Sequence, residues 1–202
     1  MITPFINSFQ QYFPEHVLLP PWTIVSNVAS ILQSLQKELP DDFVIKGDIA
    51  IHRLANIEEN VVLKGPIIIS ENCFVGAHAY LRGGVFLGQS ASIGPGCEIK
   101  SSILFDKTAL AHFNFVGDSI IGSDVNLEAG AILANHYNER KNKNIDVMIN
   151  QERIATGSTK FGALVGDGCR IGANAVLSPG TILNPQSIVK RLELVEQVKY
   201  IE

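Results

Sequence analysis

The sequence predicts an all-β fold: a left-handed parallel β-helix of hexapeptide repeats, preceded by a short α-helical segment. Two observations predict it. Aliphatic side chains recur with a period of six over most of the chain, whereas helical spacing of apolar residues is confined to the N-terminal fifth. With 202 residues, of which 46% are hydrophobic, the chain can bury a sizeable core, which excludes a disordered protein.

The N-terminal segment, residues 1–43, is predicted to contain two helices. Thr3 and Pro4 suit the start of the first helix. Its apolar residues at helical spacing are Phe5, Phe9, Tyr12 and Phe13. The second helix is expected to run from Trp22 to Leu39 and to end at Pro40. Each helix would have one apolar stripe, which we expect to cap the open first coil of the β-helix. Docking of a partner protein is the alternative use of these stripes.

The repeat itself begins at Ile45 in this reading. One column contains Ile45, Ile51, Ile57, Leu63, Ile69, Val75, Leu81, Leu87, Ile93, Ile99 and Phe105. A second, smaller residue follows four positions after each: Ile49, Ala55, Val61, Ile67, Cys73, Ala79, Val85, Ala91, Cys97, Ile103 and Ala109. The same frame returns from Val165 to Val189. In such repeats each hexad forms a short strand and a corner, and three hexads complete a coil of about 18 residues.

Three segments follow from this pattern: a helical segment at 1–43, a β-helix domain at 44–194 and a C-terminal tail at 195–202. The phase of the repeat is lost between Phe105 and Ile121, and again over residues 135–160, which we predict to be an inserted loop. That loop carries five of the 16 basic residues. We expect it to cover a ligand, with a solvated excursion as the alternative.

Several classes of protein are disfavoured by composition. A net charge of −4 is a poor match for nucleic-acid binding. No apolar run approaches the roughly 18 residues of a membrane span, and the N-terminus does not resemble a signal peptide, so we expect a cytoplasmic protein. Cys73, Cys97 and Cys169 all occupy the second, smaller position of the repeat, which we call the small inward slot because its side chain points into the prism. They are predicted to be buried packing residues. The five His lack metal-ligand spacing, so no metal is predicted.

One constellation of charged residues suggests chemistry. Arg82 and Lys100 both directly follow a repeat position and are one coil apart, so they should stack about 5 Å from each other. Like charges at this distance are unfavourable unless an anion is nearby, and phosphate meets that need. His112 should emerge on a neighbouring face and could meet this pair only across a subunit boundary. We therefore expect a homotrimer. A surface imidazole without function is the alternative reading of His112.

These residues also carry a family resemblance. The segments YLRGG (80–84), AHFNFVGDSIIG (111–122) and DVNLEAGAILAN (124–135), together with Lys100, resemble the acetyltransferase half of bifunctional sugar-1-phosphate N-acetyltransferase/nucleotidylyltransferase enzymes. The stretch 153–182 resembles the archaeal type. The resemblance covers a little over half of the chain. The Gly-rich GxGTR segment of the nucleotidylyltransferase half does not occur near the N-terminus, so we expect nucleotidyl transfer to come from a separate enzyme.

The resemblance implies roles for individual residues. Arg82 and Lys100 would bind the sugar phosphate, His112 would be the general base and Asn126 would contact the sugar. Asn135 would orient the thioester of acetyl-CoA, and its neighbour His136 stands where the bacterial type has Tyr. Lys143 would be the phosphate-binding Lys of the loop. Phe115 stands where the family has a Tyr that contacts the sugar, so one hydroxyl is missing.

The predicted function is N-acetylation of a hexosamine 1-phosphate or related amino sugar, with acetyl-CoA as co-substrate. An ammonium group must lose a proton before it attacks a thioester, and a histidine can accept that proton near neutral pH. The oxyanion would be stabilised by the backbone at Ala129 and Gly130 or by the Asn135 amide. The pantetheine arm is expected near Gly162–Gly168. A nucleotide-linked amino sugar, suggested by Phe115, is one alternative acceptor. A non-catalytic trimeric scaffold for a separate nucleotidylyltransferase is the other alternative.

Overall fold

The computed structural model describes residues 2–199. The helices are α1 (Phe9–Tyr12), α2 (Pro21–Ser26) and α3 (Val28–Leu35), with 3₁₀ turns at Pro14–His16 and Gln36–Glu38. The strands are β1 (Phe43–Lys46), β2 (Ile49–His52), β3 (Asn56–Ile57), β4 (Val62–Lys64), β5 (Ile67–Ile69), β6 (Phe74–Val75), β7 (Tyr80–Leu87), β8 (Ser92–Ile93), β9 (Glu98–Leu104), β10 (Ala109–Leu110), β11 (Phe115–Gly117), β12 (Ile120–Ile121), β13 (Asn126–Leu127), β14 (Ile132–Leu133), β15 (Ile145–Ile149), β16 (Glu152–Ser158), β17 (Ala163–Val165), β18 (Arg170–Ile171), β19 (Val176–Leu177), β20 (Thr181–Leu183), β21 (Ile188–Val189) and β22 (Leu194–Val195).

Most of these strands pair in parallel and wind into a left-handed β-helix with three faces, which confirms the predicted fold. Face 1 contains β2, β5, the C-terminal parts of β7 and β9, β12, β17 and β20. Face 2 contains β3, β6, β8, β10, β13, β18 and β21. Face 3 contains β4, the N-terminal parts of β7 and β9, β11, β14, β19 and β22. Because partners stay in register, aliphatic side chains form buried columns inside the prism.

The coils change length within the solenoid, and this corrects the predicted frame. Ile69 pairs with Leu87, but Leu87 pairs with Leu104, one residue earlier than a constant period would give. The interior column therefore contains Leu104, and Phe105 points outwards. The small inward slot then falls on polar residues instead of on the predicted Ile103 and Ala109. These polar residues, each at most 2% exposed, are Ser102, Thr108, Asn114 and Ser119.

Those buried polar side chains satisfy backbone carbonyls at the tightened corners. The Thr108 hydroxyl donates to the carbonyl oxygen of Gly122 at 2.6 Å, and the Ser119 hydroxyl donates to that of Gly117 at 2.7 Å. The Asn114 amide donates to the carbonyl oxygen of Glu128 at 2.7 Å. Since a buried carbonyl without a partner is costly, a polar residue is favoured at each shortened corner. The period of six does not reveal these inward polar residues, because an apolar residue directly follows each of them in the sequence.

The first strand departs from the repeat as well. β1 pairs antiparallel with β2, and Ile45 lies opposite Ala50. Ile45 is 47% exposed and therefore does not belong to the interior column, contrary to the prediction. Parallel winding begins one strand later, where Ile49 pairs with Ile67.

The helical segment packs along face 1 and does not cap the first coil, so that expectation was wrong. The reason is the outward side of face 1, which is apolar in successive coils: Ala50, Ile68, Phe86, Ile103, Ile120, Leu164 and Ile182. Phe9 and Phe13 are fully buried against this strip, with Phe13 5.2 Å from Phe86 between ring centroids. The strip offers far more apolar area than the end of a prism. The second predicted helix is divided at Asn27 into α2 and α3.

The insertion at 135–160 folds into an antiparallel hairpin, β15–β16, rather than an extended loop. Ile145 and Val147 are fully buried in the same cluster as the N-terminal aromatic residues. Trp22 contacts Phe161, the residue directly after the insertion, with 6.0 Å between ring centroids, so the helical segment meets the chain where the insertion ends. The alternative of a solvated excursion is wrong, because Ile145 and Val147 of the hairpin are buried, whereas the role of a ligand cover stays a prediction. The hairpin completes the covering of face 1.

The three cysteines lie where the repeat predicted. Cys73, Cys97 and Cys169 are at most 1% exposed and form no disulfide. Burial raises the pKa of all three thiols, and that of Cys73 rises to about 11. They are packing residues of the interior and are unsuited to act as nucleophiles. Separately, none of the helices formed by residues 2–199 is both long and apolar enough to cross a membrane.

Candidate active site

The predicted site residues divide between two corners of the prism. We call the turn from face 3 to face 1 the basic corner; it carries Arg82, Lys100 and, in later coils, Asn135. We call the turn from face 2 to face 3 the histidine corner; it carries His112 and, one coil later, Ala129. The two corners form opposite edges of face 3. A single chain therefore does not bring His112 to the basic residues.

At the basic corner, Arg82 and Lys100 stack in register, as their spacing predicted, and Lys64 continues the column. Arg82 and Lys100 are each already paired with a carboxylate of the same chain. Arg82 Nη2 lies 2.7 Å from Glu98 Oε1, and Lys100 Nζ lies 2.8 Å from Asp118 Oδ2. The chain thus supplies its own anions, and the column does not require a phosphate to offset its repulsion.

Asp118 joins Lys100 to Asn135, and sequence reasoning missed it. The Asn135 amide donates to the same Asp118 oxygen that receives Lys100. Asn135 Oδ1 lies 3.2 Å from His136 Nδ1, so these four side chains form one network. Asp118 and Asn135 are only 6% and 7% exposed. A spacing of 18 residues after Lys100, inside the GDS of the quoted motif, was the available signal.

Gly117 makes this network possible. A Cβ at Gly117 would lie 2.8 Å from Asn135 Cγ, closer than side chains pack. Asp118 itself has a φ of +45°, a left-handed conformation that an Asp tolerates better than most residues. A glycine followed by a left-handed Asp therefore lets the carboxylate turn inwards beneath Asn135.

A cavity of about 310 Å³ opens beside this network. Its lining residues come from the helical segment, the basic corner and the base of the insertion: Val25, Ser26, Val28, Ala29, Gly83, Lys100, Ser101, Asp118, Ser158 and Lys160. Lys160 is the loop lysine that reaches the cavity. Lys143, which the resemblance suggested, is exposed and does not line it. The reason is the hairpin, which returns the chain to the basic corner only at its end.

The histidine corner is open to solvent. His112 is exposed, and the following Phe113 is 74% exposed with a φ of +53°. Gly130 N–H donates to the carbonyl oxygen of His112 at 2.9 Å, which stacks the Ala129–Gly130 turn directly on His112. This N–H is therefore occupied and does not fit the expected role of an oxyanion donor. Phe115 lies just beyond this corner on face 3, where it pairs in register with Ile132.

A second concave surface lies on face 2 next to the histidine corner. This groove has a volume of about 490 Å³, and its polar lining residues are Asn126, Glu128, Arg170, Lys190 and Arg191. Arg191 donates two hydrogen bonds of 2.7 Å to Glu128, which, with a further bond from the Ala173 N–H, lower the pKa of Glu128 to about 2. Asn126 and Arg170 pair in register, so Asn126 lies in this groove and not at the basic corner.

The stretch Gly162–Gly168 begins at the basic corner, where Gly162 N–H donates to the carbonyl oxygen of Asp118 at 2.9 Å. Within this stretch, Asp167 N–H donates to the carbonyl oxygen of Phe5, and its carboxylate accepts a bond from Asn7 N–H, both at 2.9 Å. The N-terminal segment therefore covers the Asp167 end of this stretch, and a pantetheine arm near Gly162–Gly168 stays a prediction. Among residues 2–199, no cluster of three or more His, Cys, Asp or Glu side chains is arranged to hold a metal ion.

Comparison with known families agrees with this fold. Residues 63–160 match the GMPPB C-terminal domain, and residues 162–189 match the hexapeptide repeat of succinyl-transferase. The second match is to the type of repeat that the coils of this fold display. The chain is similar to the acetyltransferase half of bifunctional sugar-1-phosphate nucleotidylyltransferase/acetyltransferases, which confirms the resemblance drawn from the sequence.

Individual relatives show the extent of this likeness. The bifunctional sugar-1-phosphate nucleotidylyltransferase/acetyltransferase of Sulfurisphaera tokodaii is 37% identical over 84 residues, which are 41% of this chain and 20% of that protein. The bifunctional protein GlmU of Methanococcus vannielii is 36% identical over 83 residues, which are 41% of this chain and 19% of that protein. The chain therefore matches about one fifth of these relatives. A hexapeptide transferase family protein from Anaplasma phagocytophilum is 17% identical, with a TM-score of 0.40, covering 75% of this chain and 76% of that one.

Proposed function

We propose that the chain is an acetyl-CoA-dependent N-acetyltransferase that acts on a phosphorylated amino sugar, at sites shared between the subunits of a homotrimer. The observation that carries this proposal is the placement of the two corners. Arg82 and Lys100 lie at one edge of face 3, and His112 lies at the other. Each corner holds half of the groups that amide formation requires.

The covering of face 1 restricts how subunits can assemble. Face 1 is buried by the helical segment and the hairpin, so prisms that lie side by side would meet through face 2 or face 3. If face 3 of each prism points to a three-fold axis, the basic corner of one subunit meets the histidine corner of its neighbour. The outward residues of face 3 suit such an interface, since Ile132 and Leu194 are 38% and 63% exposed.

The cavity at the basic corner would hold the acceptor phosphate. Lys100 and Lys160 line it, with the hydroxyl groups of Ser101 and Ser158. Arg82, with its side chain 35% exposed, lies one coil from Lys100 and can turn from Glu98 towards an added anion. Cationic and hydroxyl donors around a small cavity favour a phosphate monoester.

His112 would remove a proton from the sugar ammonium, and the free amine would then attack the thioester carbonyl of acetyl-CoA. A C–N bond forms, the C–S bond breaks, and coenzyme A leaves as the thiol after protonation. Because one N–H of the Asn135 amide is held by Asp118, its second N–H is the donor that we assign to the oxyanion. The Asp118 contact would fix its direction.

Acetyl-CoA, a co-substrate with several phosphates, would lie along the groove on face 2 that leads away from the histidine corner. Arg170, Lys190 and Arg191 give this groove the positive charge that phosphates require. Arg191 is held by Glu128, which would keep the guanidinium in place before the ligand binds. The groove and the cavity lie at opposite edges of face 3, so both substrates would meet only where two subunits join.

A mixing experiment tests the shared site. With acetyl-CoA and an amino sugar 1-phosphate kept well below its wild-type KM, Arg82→Ala and His112→Ala should each show little activity, measured by thiol release. Trimers assembled from both variants together should recover about a quarter of wild-type activity, because random assembly leaves that share of sites with both residues intact. As the matched control, Arg82→Ala mixed with Lys100→Ala should recover nothing, since both lie at one corner. Absence of recovery in the first mixture would contradict the shared site.

A further inference from the structure

The N-terminal end of the β-helix is left open. Within the part of the chain that the structure describes, β1 pairs only with β2, β3 only with β6, and β4 only with β7. The first coil thus presents an unpaired strand edge on each face. A solenoid normally closes its end with a polar cap. Here the helical segment, the available cap, lies along face 1.

This open end is apolar. A groove of about 410 Å³ is lined by Val44, Ile49, Ile51, Ala55 and Leu63, with Lys46, His52 and Arg53 at its rim. Val44 and Ile45 are 45% and 47% exposed, whereas Ile69 and Ile68, two strands further along the same sheet, are 0% and 1% exposed. A strand edge that carries exposed large aliphatic residues is a template for pairing with another strand.

We propose that a second copy of the chain docks on this end, through antiparallel pairing of β1 with β1 about a two-fold axis. A two-fold interface requires a surface that is complementary to itself. In a pairing centred on Val44, each Asp42 lies opposite the Lys46 of the other copy, so two ion pairs flank a Val44–Val44 contact. Val44 and Lys46 lie on the side of β1 that faces the groove. Asp42 directly precedes the strand and continues its pairing, because its carbonyl oxygen accepts a hydrogen bond from Arg53 N–H at 2.9 Å.

The charge pattern is what favours a second copy over a different protein. An acidic residue two positions before Val44 and a basic residue two positions after it are matched by the same strand running in the opposite direction. The interior columns of the two prisms would also meet end to end, which buries Ile51 and Leu63 of both copies. Because β1 belongs to the sheet of face 1, this contact is separate from the face 3 interface proposed for the trimer.

The mass of the assembly tests this pairing, by light scattering with size-exclusion chromatography at micromolar concentration. We expect the wild-type mass to be twice that of the basic oligomer. Asp42→Lys alone and Lys46→Asp alone should each halve it, because like charges then face one another. The double variant Asp42→Lys/Lys46→Asp should restore the doubled mass, since the ion pairs are re-formed in reverse. Leu18→Lys, at a position 86% exposed on another surface, is the matched control and should leave the mass unchanged.

The outcomes that overturn the proposal are a wild-type mass equal to that of the single-swap variants, or a double variant that stays at half mass. The first of these would leave the end free for a different protein, such as a separate nucleotidylyltransferase. Acetyl transfer is measured on the same samples. Retained activity in the half-mass species would show that end-to-end pairing and the catalytic proposal stand or fall separately.

Discussion

The ammonium of Lys100 lies 2.8 Å from the carboxylate of Asp118. The two side chains are only 18% and 9% exposed, so water screens their attraction weakly. Since Asp118 also receives the Asn135 amide, one carboxylate fixes both a proposed phosphate ligand and a proposed oxyanion donor. This shared contact makes Asp118 the positioning residue of the basic corner.

Replacing Asp118 by Asn should lower kcat/KM for acetyl transfer by roughly 10- to 150-fold. The change keeps the shape of the side chain but removes the charge that holds Lys100, and a charge-assisted hydrogen bond is worth about 1.5–3 kcal/mol. Glu98→Gln is the matched control, because it removes the carboxylate of the more exposed Arg82 pair, and its effect should be smaller. Equal effects of the two variants in steady-state kinetics would contradict the positioning role.

Arg82→Ala should mainly raise KM for the amino sugar phosphate. The phosphate is charged both before and during the reaction, so its ligand contributes equally to the ground state and the transition state. The expected rise is roughly 10- to 150-fold with kcat little changed. Initial-rate measurements with varied acceptor check this. A fall confined to kcat would place Arg82 outside the phosphate subsite.

His112→Ala should lower kcat by about 10²- to 10⁴-fold with little change in either KM. The proton it accepts moves only during the reaction, so binding should be unaffected. The deficit should shrink as the pH rises towards the pKa of the sugar amine, because free amine then forms without a base. Kinetics between pH 6.5 and 9 test both statements. Wild-type kcat at neutral pH would remove His112 from the mechanism.

Filling the cavity from the helical segment should weaken binding of the acceptor alone. Ser26 lines the cavity at the end of α2, so Ser26→Trp should raise the acceptor KM by roughly tenfold or more, through steric exclusion of the phosphate. The KM for acetyl-CoA should not change. Ser30→Trp, on exposed α3 surface away from the cavity, is the matched control. If both variants behave as wild type, the helical segment does not border the acceptor.

The buried thiols should be inert in the native protein. At pH 8 a thiol reagent should label none of Cys73, Cys97 and Cys169 until a denaturant is added, because burial disfavours the thiolate.

The raised pKa of Cys73 also predicts how the free energy of unfolding depends on pH. The unfolded chain loses the Cys73 proton first, so the stabilisation is complete below pH 9 and is lost as pH rises to about 11. Cys73→Ala should flatten the fall of the unfolding free energy in that range, which chemical denaturation measures. If the unfolding free energy of Cys73→Ala falls with pH as steeply as that of the wild type, the raised pKa does not belong to Cys73.

The period of six determined the β-helix, the buried cysteines and the stacking of Arg82 on Lys100, because each depends only on residues that recur at a fixed spacing along one winding chain. The same regularity fixed which residues lie on different faces, and so it separated His112 from the basic pair. Local sequence is sufficient for these features since every coil repeats the environment of the one before it.

Other features depended on contacts between distant segments, which no period encodes. The helical segment and the hairpin lie on face 1 because a strip of outward aliphatic residues there buries more apolar surface than an end cap would. That covering leads Lys160, rather than Lys143, into the cavity. The one-residue shortening before Leu104 turns Phe105 outwards, and the turn at Gly117 directs Asp118 to Lys100 and Asn135. Sequence alone thus determined the order of the coils, while tertiary packing decided which face is closed, which end is open and how the charges are paired.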